Sequence, residues 1–159
     1  MKTLLVYYSR TGHTEKEMKR LAELVRPERC IKIRPKRPRE GFAGLLRCVG
    51  DMFGGACEIE PHDVPPVMEE YDLVIVGTPV WGGGVSGPVK AFVNAYGKGV
   101  QKYALVESSG GPASQDNRTV KQLDRMTGLA CASVVTLPGK FTAEERERAL
   151  AGFAAALGL

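Results

Sequence analysis

Residues 71–78 read Tyr-Asp-Leu-Val-Ile-Val-Gly-Thr, with apolar side chains at consecutive positions rather than at every second one. A strand that is wetted on one face alternates; a continuous apolar strand is buried on both. The run is short, β-branched and followed by glycines, so it predicts a strand rather than a buried helical turn. Its sheet must then be covered on both sides, which calls for helices above and below and three layers in all.

The rest of the chain fits that frame. Residues 3–8 (TLLVYY) form a second short apolar run, cut off by Ser, Thr and Gly. Over residues 13–26, Met18, Leu21, Ala22 and Val25 recur at helical spacing, and Pro27 ends the pattern. Residues 30–34 (CIKIR) alternate like a strand, and PKRPRE after them is a loop by its prolines. Phe42 to Phe53 has the pattern of an amphipathic helix weakened by Gly44 and Gly50, and Glu58 to Pro66 reads as a proline-rich loop. After the 71–78 strand come PVWGGGVSG and Pro88, which suits a first helical turn, then a helix over Val89 to Tyr96. Residues 102–108 (KYALVES) predict a strand, Gln115 to Met126 a helix, and Cys131 to Leu137 a last strand. Thr142 with Glu145 three residues on predicts a capping box at the final helix. Strand and helix thus alternate about five times, the pattern of an α/β domain with a parallel sheet.

A chain of 159 residues makes one domain over 1–159. At this size roughly 68–70% of the unfolded surface is buried, enough for a core without disulfides or metal. With 43% hydrophobic and 25% charged residues, disorder and fibrous classes are excluded. A membrane-spanning helix needs roughly 20 mostly apolar residues, and the longest candidate, residues 149–159, has eleven. The first residues lack the pattern of a signal peptide, so the expected location is cytoplasmic. Cys30, Cys48, Cys57 and Cys131 have no CxxC spacing, and His13 and His62 form no ligand pattern with them. They are read as reduced thiols with no metal. The net charge of +4 is uneven: residues 1–50 carry 13 Lys/Arg against 5 Asp/Glu, the remainder 9 against 13. Lys32, Arg34, Lys36, Arg37 and Arg39 form the sharpest basic run, which fits either an anionic partner or a solvated loop.

Three loops follow expected strands at their carboxyl ends, the edge at which open α/β sheets bind ligands. Ser9-Arg10-Thr11-Gly12-His13-Thr14 offers three hydroxyls, a glycine and the unpaired N–H groups of a helix start. Such donors suit a phosphate dianion; a plain helix cap would need one hydroxyl. Thr78-Pro79-Val80-Trp81-Gly82-Gly83-Gly84 sets the chain's one tryptophan beside glycines, where it could stack on a planar ring or act as a core or lid residue. Glu107-Ser108-Ser109-Gly110-Gly111-Pro112 supplies small residues and free amides for a heteroaromatic edge. Competing phosphate motifs fail. GxxxxGK[ST] and Cys-x5-Arg are absent, and no acidic residues directly follow the first strand. GGGVSG at 82–87 matches GxGxxG, but it is not in the first strand–helix turn and is four residues removed from its strand.

LLVYYSRTGHT, with LVIVGTPVWGGGVSG and ALVESSGG, resembles the flavodoxin-like family, whose three flavin loops occur in this order. The resemblance covers most of the chain outside about residues 35–66. It implies a doubly wound five-stranded parallel sheet of order 2-1-3-4-5 and bound FMN. Ser9, Arg10, Thr11, Gly12, His13 and Thr14 would hold the phosphate. Thr78, Pro79, Val80, Trp81, Gly82 and Gly83 on one side, and Ser108, Ser109, Gly110 and Gly111 on the other, would flank the isoalloxazine. Flavodoxins are commonly acidic and carry an aromatic in the third loop. This chain is basic and has SSGG there, which points away from a plain low-potential carrier.

The expected role is electron transfer through FMN, with no catalytic side chain required. The donor or acceptor would be a redox partner protein, or NAD(P)H with a quinone or other small acceptor. A cofactor-free interaction module is the alternative. Glu107 would tune the flavin if it lay near the ring. The segment 40–57 is either core, a cover over the flavin or a dimer face, and the protein is expected as a monomer or homodimer. Nucleic acid is not an expected partner, because the basic run has no interleaved aromatics.

Overall fold

The structure, a computed structural model, describes residues 1–37, 41–52, 57–61, 66–111 and 117–159, without the side chains of Phe42, Asp51 and Met52. Arg39, Phe53, His62, Pro65, Pro112 and Gln115, each part of a sequence expectation above, lie outside the described residues. Strands β1 (Thr3–Tyr7), β2 (Arg29–Lys32), β3 (Leu73–Trp81), β4 (Gly84–Val85), β5 (Tyr103–Ser109) and β6 (Val134–Pro138) form one sheet. Helices are α1 (His13–Val25), α2 (Gly41–Met52), α3 (Gly87–Tyr96), α4 (Arg118–Thr127) and α5 (Ala143–Ala156).

The main sheet runs β2-β1-β3-β5-β6, all parallel. Setting aside the two-residue β4, which pairs antiparallel with β3, this is the expected 2-1-3-4-5 order. One row crosses all five parallel strands: Ile31, Val6, Val76, Leu105 and Val134. Successive residues point to opposite faces. Leu4, Val6, Val74, Val76 and Leu105 therefore pack with Val89, Phe92, Val93 and Leu123 of α3 and α4. Leu5, Ile75, Ala104 and Val106 pack with Met18 and Leu21 of α1 and Leu150, Phe153 and Ala154 of α5. This two-sided burial is what removes alternation from residues 71–78.

Gly77 in β3 is required by this packing. A Cβ there would come within 2.6 Å of Met18 Sδ and 2.8 Å of Tyr7 Cβ, so its absence is what lets α1 lie close to the sheet. At the other end of the chain, Thr142 Oγ1 accepts from Glu145 N at 3.2 Å and Glu145 Oε2 from Thr142 N at 2.7 Å, the expected capping box.

Several boundaries differ from expectation. β6 begins at Val134, three residues later than expected, because residues 131–133 approach the sheet only through single bonds such as Ala132 N to Tyr103 O at 2.9 Å. β2 is shorter than the alternation suggested, and its continuation, Arg34–Lys36, bonds instead with Glu58 and Glu60. α2 is a helix, but not a core one: Gly44 and Cys48 are buried, while Leu45, Leu46 and Val49 are 45%, 57% and 41% exposed.

Candidate functional site

Because the five strands are parallel, their carboxyl ends share one edge, and the order reverses between β1 and β3. A cleft of about 300 Å³ opens at this edge, at the low end of the roughly 300–1,000 Å³ typical of ligand sites. It is lined by parts of all three expected loops and by residues of α1, α5 and the end of β6 outside them.

The first loop leaves β1 at Tyr7 and enters α1 through Gly12, whose φ of +88° favours glycine. Ser9 Oγ accepts from Gly12 N at 3.1 Å, so this hydroxyl shapes the loop. No side chain caps the α1 start. Among the described residues the first-turn N–H groups thus have no capping side chain, the arrangement an anion satisfies. A plain Ser/Thr cap is thus not what the hydroxyls form. Arg10, Thr11, His13 and Thr14 line the cleft; Ser9 and Gly12 build the loop behind them. Thr14, 1% exposed, shares a 2.6 Å hydrogen bond with Ser108 Oγ, tying the first loop to the third.

The second segment is less of a loop than expected. β3 continues through Pro79, Val80 and Trp81, then reverses at Gly82–Gly83 into β4, with Trp81 opposite Gly84. Both turn glycines have positive φ, +55° and +78°, the geometry of the two-residue turn that matches strand twist. The residues that the sequence sets between strand and glycines, up to Trp81, thus belong to the strand itself; Pro79 and the glycines read as breakers. Thr78 is fully buried. Its Oγ1 accepts from Ser86 N at 3.2 Å and hydrogen-bonds Ser86 Oγ at 3.1 Å, bracing the hairpin from below. Gln122 of α4 accepts from Val85 N at 3.0 Å and holds it from the side. Pro79, Val80 and Trp81 line the cleft. Trp81 is half-buried and meets buried Tyr8 edge-on, ring centroids 5.7 Å apart at 86°. It is thus both a core contact and a cleft wall.

In the third segment Ser108 and Ser109 still belong to β5, paired with Leu137 and Pro138 of β6. Ser108, Ser109 and Gly110 line the cleft; Gly111, exposed, donates its N–H to Ser109 Oγ at 3.2 Å. Glu107 does not reach the cleft. Alternation turns it, one residue before Ser108, to the opposite face. There it is buried and accepts from Thr119 Oγ1 of α4 and, at 2.7 Å, from Thr136 Oγ1 of β6.

The sequence reading missed a fourth wall. Leu137 and Gly139 at the end of β6, Arg146 of α5 and Glu17 of α1 also line the cleft. Gly139 N donates to Ser109 O at 2.7 Å. The strand-end rule that picked the other loops applies equally after β6. Helical spacing places Glu17 three residues from Thr14 and four before Leu21, on the buried stripe of α1. The cleft therefore gathers Arg10, His13 and Arg146 against Glu17. Among the described residues none of α2 lines the cleft; Arg10 Nη2 donates to Gly41 O at the start of α2 at 3.5 Å. Among the described residues no cluster of His, Cys, Asp and Glu could hold a metal ion, and no helix is long and apolar enough to cross a membrane.

No family model matches the sequence. Solved structures do match the fold. A protein of Bacteroides eggerthii assigned as a flavoprotein superposes with a TM-score of 0.80 at 20% identity, covering 99% of this chain and 98% of its own. A Lactobacillus acidophilus flavoprotein solved in complex with FMN gives 0.67 at 20% identity, over 85% and 92%. A Streptococcus pneumoniae flavodoxin gives 0.63 at 19%, over 99% and 98%. The chain has the flavodoxin-like fold, as the three sequence motifs implied.

Proposed function

We propose that the cleft binds FMN and that the protein is an FMN-dependent redox protein. The observation that carries this is the uncapped start of α1 facing Trp81 and Ser108–Gly110 across one cleft. Phosphate donors and a ring-sized wall are thereby brought together. The residues fit the group. Arg10, Thr11, His13 and Thr14, with the first-turn N–H groups, would hold the phosphate. Pro79 to Trp81 and Ser108 to Gly110 would flank the ring. The flavodoxin-like neighbours, one of them solved with FMN, support the same cofactor. Bound FMN would supply the electron transfer, and the chain's own residues bind it, orient it and exclude water. The Gly82–Gly83 turn can change φ/ψ at low cost beside the ring. The electron source is a protein partner or NAD(P)H, and the acceptor a protein or a small oxidant such as a quinone.

The test is a visible absorption spectrum of the purified protein before and after adding FMN and desalting. Retained flavin bands near one equivalent are expected. Bleaching of those bands by NADPH without air would identify a reductase, and their persistence a shuttle reduced by a protein. A colourless protein that retains no added FMN would overturn the cofactor and leave the interaction-module reading.

A further inference from the structure

The phosphate end of the cleft contains an ion pair between two helices that are distant in sequence. Glu17 on α1 is 4% exposed, and its Oε1 accepts from Arg146 Nη1 of α5 at 3.2 Å. Its Oε2 accepts no hydrogen bond, and Arg20 Nη1 stands 3.6 Å away. The rest of the Arg146 guanidinium is spent on backbone: Nη2 donates to Pro138 O at 2.7 Å and Gly139 O at 3.0 Å, and Nε to Phe141 O at 3.2 Å. One side chain thus fixes the whole β6–α5 turn. Gly139 passes that order to Ser109, and a Cβ on Gly139 would stand 3.3 Å from Gly110 O.

Both residues line the cleft, with Glu17 one helical turn after Thr14 on α1 and Arg146 meeting it from α5. A buried carboxylate there would repel a phosphate dianion, and a buried guanidinium alone would be costly in the empty protein. We propose that Glu17 and Arg146 are positioning residues forming an electroneutral clamp: Arg146 holds Glu17 against the β6–α5 turn and its charge cancels that of Glu17, so that the pair presents no net negative charge to a phosphate ester. The clamp rests on the reading that a phosphate ester binds at the start of α1.

The test titrates FMN and riboflavin, which share a ring and differ in the phosphate, by flavin fluorescence into the full-length protein. The proteins are wild type, Arg146→Gln, Glu17→Gln and the double variant, with thermal melting of each. Arg146→Gln should weaken FMN by about 10- to 100-fold while riboflavin barely changes. The double variant should regain most of the lost FMN affinity, and Glu17→Gln alone should bind FMN more tightly than wild type. Rescue and phosphate dependence are responses that loss of packing does not produce. Equal weakening of both flavins, or a double variant no better than Arg146→Gln, would overturn the clamp. If Arg146→Gln does not fold, Glu17→Gln decides: tighter FMN supports the clamp and weaker FMN overturns it. Wild type that binds neither flavin overturns the cofactor reading and the clamp together. Wild type and variants that bind FMN alike overturn the clamp alone.

Discussion

Helices α1 and α2 each follow a strand of the same sheet, with 13 and 12 residues. By composition α2 is the more apolar: Gly-Phe-Ala-Gly-Leu-Leu-Arg-Cys-Val-Gly-Asp-Met against a first helix rich in Glu and Lys. Yet α1 is the one set into the core. Met18 sits over Gly77, Leu21 is fully buried, and even its polar residues have fixed partners, Thr14 with Ser108 and Glu17 with Arg146. Among the described residues of α2, Gly44 and Cys48 are buried while Leu45, Leu46 and Val49 are exposed. Apolar content therefore does not decide which helix is buried. What decides it is whether the sheet offers a recess of the right depth, and polar partners at the rim.

The sharpest way to break this contrast is to cut the same side chain from each helix. Leu21→Ala should cost about 2–5 kcal/mol in urea unfolding, whereas Leu46→Ala should stay within about 0.5 kcal/mol. Equal losses would mean that α2 is covered in solution. Filling the recess comes next. Gly77→Ala should cost about 1–3 kcal/mol by overpacking against Tyr7 and Met18, and Met18→Ala in that background should recover part of it. At the rim, Thr14→Val strands the Ser108 hydroxyl in a buried setting and should cost roughly 1–2 kcal/mol. Thr14→Ser should cost less, because the bond survives.

The smallest effect concerns Glu15. Hydrogen bonds from Lys32 and then Lys19 hold its carboxyl below the usual carboxylate range. A carboxyl depressed on folding contributes stability above its unfolded value, and loses it as pH falls through the folded one. Melting temperatures of wild type and Glu15→Gln should therefore differ slightly at neutral pH, converge toward acid pH, and converge also in high salt.

Much of this was legible. The continuous run at 71–78 implied burial on both faces, and the Ser9–Thr14 loop was placed at the right strand end, because both depend on local residue pattern. What escaped depended on contacts across the fold. Glu17 and Arg146 are charged residues on helices and read as solvated until α1 and α5 are set side by side. Glu107 neighbours the third loop and would tune the flavin only if it lay near the ring, but strand alternation sends it to the α4 face. Pro79 and three glycines hid the extension of β3, since a breaker at an isolated hairpin looks the same as a loop. α2 was ambiguous because amphipathic spacing shows which residues share a face and not whether a recess exists to receive it.

The two outer strands of the sheet have a further consequence. Among the described residues β2 and β6 are the two edge strands of the sheet, the positions at which a sheet can recruit another chain. β2 is four residues long and carries Arg29 and Lys32, with Arg34 and Lys36 just beyond it. β6 is five residues long and ends in Pro138, which has no N–H to donate. Short length, like charge and proline each discourage edge-to-edge growth into larger aggregates. The basic run, read from the sequence as suiting either an anionic partner or a solvated loop, thus lies on and beside an edge strand, where charge disfavours pairing of one copy's edge with the next.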